Sequence, residues 1–94
     1  CVIKFYSNGC HYCRELKDLF EKVSDENNGV LFFAFNISDY PEIQKIMKFD
    51  GVPTISLVKA GTTKPRIRLI EEPKKPDKKT WYRARDIQQL IDKE

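Results

Sequence analysis

Cys10-His11-Tyr12-Cys13 places two thiols two residues apart, directly after an apolar run and directly before a helical pattern. That context suits dithiol–disulfide exchange. A helix N-terminus carries partial positive charge and backbone N–H groups without intrahelical partners, so it stabilises a thiolate at position 10. Residue 13 comes round to the same side of the first turn. One sulfur can attack a disulfide and the other can resolve the product. Zinc is the competing use of such a pair, but it needs four ligands and only Cys1, Cys10, His11 and Cys13 are on offer. Covalent haem needs Cys-x-x-Cys-His, and here Arg14 follows Cys13. No metal or organic cofactor is expected. His11, the only histidine, either sits exposed at the helix start or, as imidazolium, stabilises the Cys10 thiolate. Tyr12 is divided between packing and substrate contact.

The elements that must hold this pair can be read from periodicity and punctuation. Residues 2–6 form an apolar strand, broken by Ser7-Asn8-Gly9. Tyr12, Leu16, Leu19, Phe20 and Val23 recur at helical spacing, and Asn27-Asn28-Gly29 ends that helix. Residues 30–37 are almost wholly apolar, which predicts a strand buried on both faces. Ser38 or Asp39 is placed to cap a short second helix, with Pro41 in its first turn, Ile43, Ile46 and Met47 inward, and Asp50-Gly51 as its stop. Pro53 precedes a third strand at 54–58, and residues 60–63 read as a hairpin loop. Arg66 to Ile70 alternates like an outer strand, with basic residues guarding its edge. Residues 71–79 form an exposed Pro- and Lys-rich loop, and 85–93 a last helix with Ile87, Leu90 and Ile91 inward. Ile3, Leu16, Phe33, Phe35 and Leu57 are the expected core around the site. Trp81 is expected to anchor the last helix.

The order β-α-β-α-β-β-α implies an α/β fold: a four-stranded mixed sheet with helices on both faces. Ninety-four residues suit a single domain, 1–94, carrying a basic loop insertion at about 72–82. Three cysteines do not make a stapled secreted scaffold, and Cys1 reads as a small apolar residue at a strand start. No apolar run approaches a membrane span, so no membrane partner is expected, and no export signal is visible, so a cytoplasmic setting is expected. The net charge of +3 is unevenly spread. Residues 59–85 hold ten of the seventeen Lys and Arg but three of the fourteen acids, a local +7 that leaves −4 for the rest. The basic stretch 74–85 is read as a solvated loop first and a surface for acidic proteins second. Nucleic-acid binding is not expected of so small a patch.

Two stretches carry a resemblance. Lys4-Phe5-Tyr6-Ser7-Asn8-Gly9-Cys10-His11-Tyr12-Cys13, and Gly51-Val52-Pro53-Thr54-Ile55-Ser56-Leu57, are similar to the motif and cis-proline segments of the thioredoxin superfamily, including protein disulfide isomerase domains. Tyr82-Arg83-Ala84-Arg85 is a weaker match to a third stretch, with Ala84 in place of Gly. The resemblance implies a minimal thioredoxin fold without the extra N-terminal strand and helix. It implies Cys10 as attacking thiol, Cys13 as resolving thiol, and a cis bond at Pro53 that presents Gly51, Val52, Pro53 and Thr54 to an extended substrate chain. The implied activity is thiol–disulfide oxidoreduction of protein substrates, with the reductase direction favoured, regeneration by an upstream reductase or thiol pool, and a monomeric state. The alternatives are a redox-inactive binding module recruiting a partner through the basic loop, and a glutaredoxin-like, glutathione-dependent reductase. Ser7 replaces the Lys often found before a glutaredoxin motif, and a Gly-Gly turn is missing. Lys4 stands where thioredoxins carry a buried acid. Its side chain either snorkels to the surface or lowers the pKa of Cys13, or acts as a neutral base near it.

Overall fold

The computed structural model describes residues 1–60 and 63–93. The hairpin loop expected at 60–63 therefore lies partly outside the described residues. Seven elements follow in the expected order: β1 Val2–Tyr6, α1 His11–Glu26, β2 Phe32–Asn36, α2 Ile43–Met47, β3 Thr54–Lys59, β4 Arg66–Leu69 and α3 Ala84–Asp92. The strands form one sheet in the order β2-β1-β3-β4. β1 runs parallel to β2 and antiparallel to β3, and β3 pairs antiparallel with β4. No helix among the described residues is long and apolar enough to cross a membrane.

Strand alternation divides the side chains between two faces. Val2, Ile55 and Leu57 point toward α1 and α3, where they meet Leu16, Phe20, Val23, Ile87 and Leu90 in the main core. Cys13, Leu16, Phe20 and Val23, at spacings of three and four, are the buried face of α1. Each such side chain contributes about 1.5–3 kcal/mol by leaving water. Asn27 and Gln88 exchange side-chain hydrogen bonds of 2.8 and 3.1 Å, tying the end of α1 to α3. On β4, an edge strand as expected, the Arg68 guanidinium also donates to the carbonyls of Leu90 and Lys93, at the C-terminal end of α3 where a cation complements the helix dipole. On the opposite face, Phe5 stacks with Phe35 and with Phe49, just past α2.

Two expectations fail on this second face. β2 is not buried on both sides. It is the edge strand, Phe33 is 52% exposed, and Ile3 and Phe35 are only half-buried. Leu16 and Leu57 alone of the five expected core residues are fully buried. α2 is a single short turn with no buried residue, and Ile46 is 58% exposed. Ser38 does not cap it, because the Ser38 hydroxyl accepts the Asn8 backbone N–H instead, at 3.0 Å. The helix stops at Lys48, whose φ of 63° is left-handed, two residues before the expected Asp50-Gly51.

Candidate active site

β1 delivers the chain to the turn Ser7-Asn8-Gly9, and α1 begins immediately after Cys10. Hydrogen bonds fix this turn against the β2–α2 connection. Asn8 N–H reaches Ser38, Asn36 Nδ2 donates to Asn8 Oδ1 at 2.8 Å, and Ser38 N–H donates to Asn36 Oδ1 at 2.9 Å. Cys10 is the N-cap of α1, with extended φ and ψ of −86° and 107°. Cys10 and Cys13 are joined by a disulfide, their Cα atoms 5.2 Å apart. The Cys13 backbone N–H donates to Cys10 Sγ at 3.1 Å. A sulfur in the N-cap position thus takes a bond that an Asp or Ser oxygen would ordinarily take, and a charge on it meets the positive end of the helix. Cys10 is half-buried, whereas Cys13 is 3% exposed beneath it. His11 is exposed, its ring edge-on to Tyr12 at 5.8 Å.

The register of β1 on β3 opposes Phe5 and Thr54, so Pro53 lies at the end of the sheet from which the chain leaves for the motif. The Val52–Pro53 peptide is cis. Gly51, with φ of 100°, occupies a conformation that side chains resist. Its N–H donates to Gln44 Oε1 at 2.9 Å, and its carbonyl accepts the Thr54 hydroxyl at 2.7 Å. Gly51 is exposed and Val52 half-buried, while Pro53 and Thr54 are buried. The four residues therefore form one pinned corner with an accessible leading edge.

Three further residues at the site come from the loop before α3. Trp81 packs against the core cluster to which α3 contributes Ile87 and Leu90, as an anchor of the last helix would. Its ring lies edge-on to Tyr12, centroids 5.2 Å apart, so it walls the motif. Tyr82, fully buried, directs its hydroxyl at the Pro53 carbonyl and at Glu72 Oε1, both at 3.2 Å. Glu72 Oε2 accepts Trp81 Nε1–H at 3.0 Å. One carboxylate thus organises two adjacent aromatics, of which one touches the motif and the other the cis-proline corner. Burial and the neighbouring Glu72 charge push the Tyr82 phenol far above its ordinary pKa, so it stays a neutral donor. The loop is not wholly solvated. Asp77 and Trp81 exchange backbone hydrogen bonds, and Asp77 Oδ1 accepts the N–H groups of Lys79 and Thr80, which hold its carboxyl below its usual pKa. The sequence signal was present but faint: an Asp-x-x-Thr turn running into the lone Trp.

Lys4 does not snorkel free. It is 5% exposed, on the α1 side of β1, with Nζ 5.1 Å from the Phe20 ring centre and 5.8 Å from that of Tyr6. Both rings are within cation–π reach. Lys4 and Cys13 line the same groove of about 540 Å³ between α1 and β2. Burial lowers the amine's pKa. Glu21 opposes that shift and Lys17 reinforces it. Among the described residues no group of three or more His, Cys, Asp or Glu is placed to hold a metal ion. Cys1, half-buried, extends β1 through hydrogen bonds to Val58 and stands apart from the pair.

Comparison with known proteins agrees with this geometry. The family model Thioredoxin matches residues 1–92. Thioredoxin-2, mitochondrial, of Schizosaccharomyces pombe is 32% identical over 66 residues, covering 70% of this chain and 50% of that protein. Thioredoxin H2 of Arabidopsis thaliana is 29% identical over 66 residues with the same coverage. The chain spans about half the length of the curated relatives it matches. Among solved structures, the Trx4 domain of ERdj5 superposes with a TM-score of 0.74 at 20% identity, covering 98% of this chain and 75% of that one. Chloroplastic thioredoxin z gives 0.67 at 18% identity, covering 98% and 74%. These structural matches show the fold, and the family model adds the lineage: the chain belongs to the thioredoxin family.

Proposed function

We propose that this chain is a thiol–disulfide oxidoreductase acting on protein disulfides, with the reducing direction favoured. The observation that carries the reading is the Cys10–Cys13 disulfide at the N-terminus of α1, one sulfur accessible and the other buried behind it. In the dithiol form, the Cys10 thiolate attacks one sulfur of a substrate disulfide. The substrate S–S bond breaks, its second sulfur leaves as a thiolate that takes up a proton, and Cys10 is joined to substrate. Cys13, deprotonated, then attacks Cys10 Sγ and releases the remaining substrate thiol. Two electrons have passed to the substrate, and the product on the enzyme is the disulfide seen here. An external dithiol or reductase must restore the reduced pair.

The surroundings supply each need of that cycle. Helix-terminal amides stabilise the attacking thiolate. Gly51 is held by its own hydrogen bonds to Gln44 and Thr54, and it presents the half-buried Val52 backbone at the cis-proline corner, suited to pairing with an extended substrate strand. His11 and Tyr12 set the immediate environment of Cys10. Lys4, held near Cys13 with its charged form disfavoured, is suited to accept the Cys13 proton. The test is reduction of a protein disulfide by the dithiol-regenerated protein, with Cys10→Ser as the control. Turnover should fall to the uncatalysed background in the variant. Equal turnover by variant and parent sinks the reading and favours a binding module.

A further inference from the structure

We infer that the loop 74–85 selects substrates, favouring disulfides flanked by acidic residues. This rests on the proposed reductase reading and adds a substrate class to it. The loop carries Lys74, Lys75, Lys78, Lys79, Arg83 and Arg85 against the single acid Asp77. Its place in the fold gives that charge a use. Trp81 packs on Tyr12, between the two cysteines in sequence, and Lys79 Nζ lies 3.8 Å from Glu15, just past the first turn of α1. The basic run is therefore docked against the motif. Exposed Arg14 carries the same sign onto the start of α1.

The neighbouring acids are already engaged. Glu72 accepts from Trp81 and Tyr82, Asp77 from Lys79 and Thr80, Asp86 from the Arg83 N–H, Glu15 pairs with Lys79, and Glu71 with Lys93. Lys74, Lys75, Lys78 and Arg85 remain, all exposed, and among the described residues their side chains have no acidic partner within salt-bridge distance. A run of exposed cations on a segment that packs against Tyr12 attracts anionic chain, raising encounter rates in a salt-dependent way. An acidic polypeptide fits better than nucleic acid. The corner at Val52 offers a backbone edge to an extended chain, whereas of the loop's two aromatics Tyr82 is buried and Trp81 already packs against Tyr12.

The experiment compares two disulfide-bridged peptides of one sequence, flanked by Asp and Glu in one and by Ser in the other. The acidic peptide should show a kcat/KM about tenfold higher at ~10 mM salt, with the advantage gone at ~300 mM. In Lys74→Glu/Lys75→Glu/Lys78→Glu, checked for folding by circular dichroism, the ratio should fall to about one or below. Equal rates for both peptides, a ratio indifferent to salt, or a ratio unchanged in the variant overturns the inference. If neither peptide turns over, the reductase reading has failed. Selection is then read from anisotropy of the labelled peptides, where equal binding overturns it. Tighter binding of a labelled single-stranded oligonucleotide than of the acidic peptide also overturns it.

Discussion

Two sulfurs of one bond occupy opposite surroundings. Cys10 is half-buried and caps a helix terminus, where its sulfur accepts a backbone amide, and the motif beside it carries the Tyr12–Trp81 pair. Cys13 is enclosed, one turn into α1, and shares a groove with a buried amine and the Phe20 ring. Hydrogen bonding and helix polarity act on the first sulfur, while burial acts on the second. Burial raises a thiol's pKa and amide contact lowers it. In the proposed cycle that contrast lets identical side chains three residues apart take different tasks: the first to ionise and strike, the second to wait until the mixed disulfide forms.

The sharpest break of this comparison is to remove one sulfur at a time. With Cys13→Ser, a disulfide substrate should accumulate as a stable covalent adduct on Cys10, seen by mass spectrometry as enzyme plus substrate. Cys10→Ser should form almost none. Adducts of similar yield on both variants would erase the distinction. On the open side, Trp81→Ala removes the ring pair with Tyr12 and the bond to Glu72, together about 2 kcal/mol. For a domain of this size that is a fall in melting temperature of roughly 10 °C, and it should be accompanied by a raised KM for peptide substrates. A variant with unchanged melting and KM would show that the wall is ornamental.

On the enclosed side, the effect is smaller and opposite in sign. The folded-state pKa of Lys4 is depressed below its ordinary 10.5, so between those two values the unfolded chain binds more protons than the folded one. Lys4 thus weakens the fold while charged, and stability rises as pH climbs through its folded pKa. Lys4→Met should stabilise the protein by about 1 kcal/mol at pH 7, with the gain shrinking toward pH 10.5. Urea midpoints of both proteins across that range check it. The same variant tests chemistry: if Lys4 takes the Cys13 proton, the pH profile for alkylation of Cys13 should shift upward and that of Cys10 should not.

Much of this was legible along the chain because it is set locally. The strand–turn–motif–helix unit follows from an apolar run, a Ser-Asn-Gly break and a helical period, and all seven elements stand in the expected order. What the chain could not declare was position across the sheet. Phe32–Asn36 is as apolar as a central strand, yet long-range pairing places it at the edge. Lys4 is equally mute, since a long side chain can leave or stay, and the rings of Tyr6 and Phe20 decide it. Glu72, Trp81 and Tyr82 reach the site only because the loop before α3 folds back over the start of α1, a contact across some seventy residues that no local pattern records. Ser38 shows the converse: its type predicted a cap, and a tertiary donor claimed its hydroxyl.

The only tryptophan of the chain rests on the residue between the two cysteines. Its emission belongs to a single indole with a single environment, so no label is needed to watch the site. Opening the bond between Cys10 and Cys13 is expected to change that emission through Tyr12, which gives an optical gauge of oxidation; identical spectra of the oxidised and reduced protein would show the indole to be blind to it.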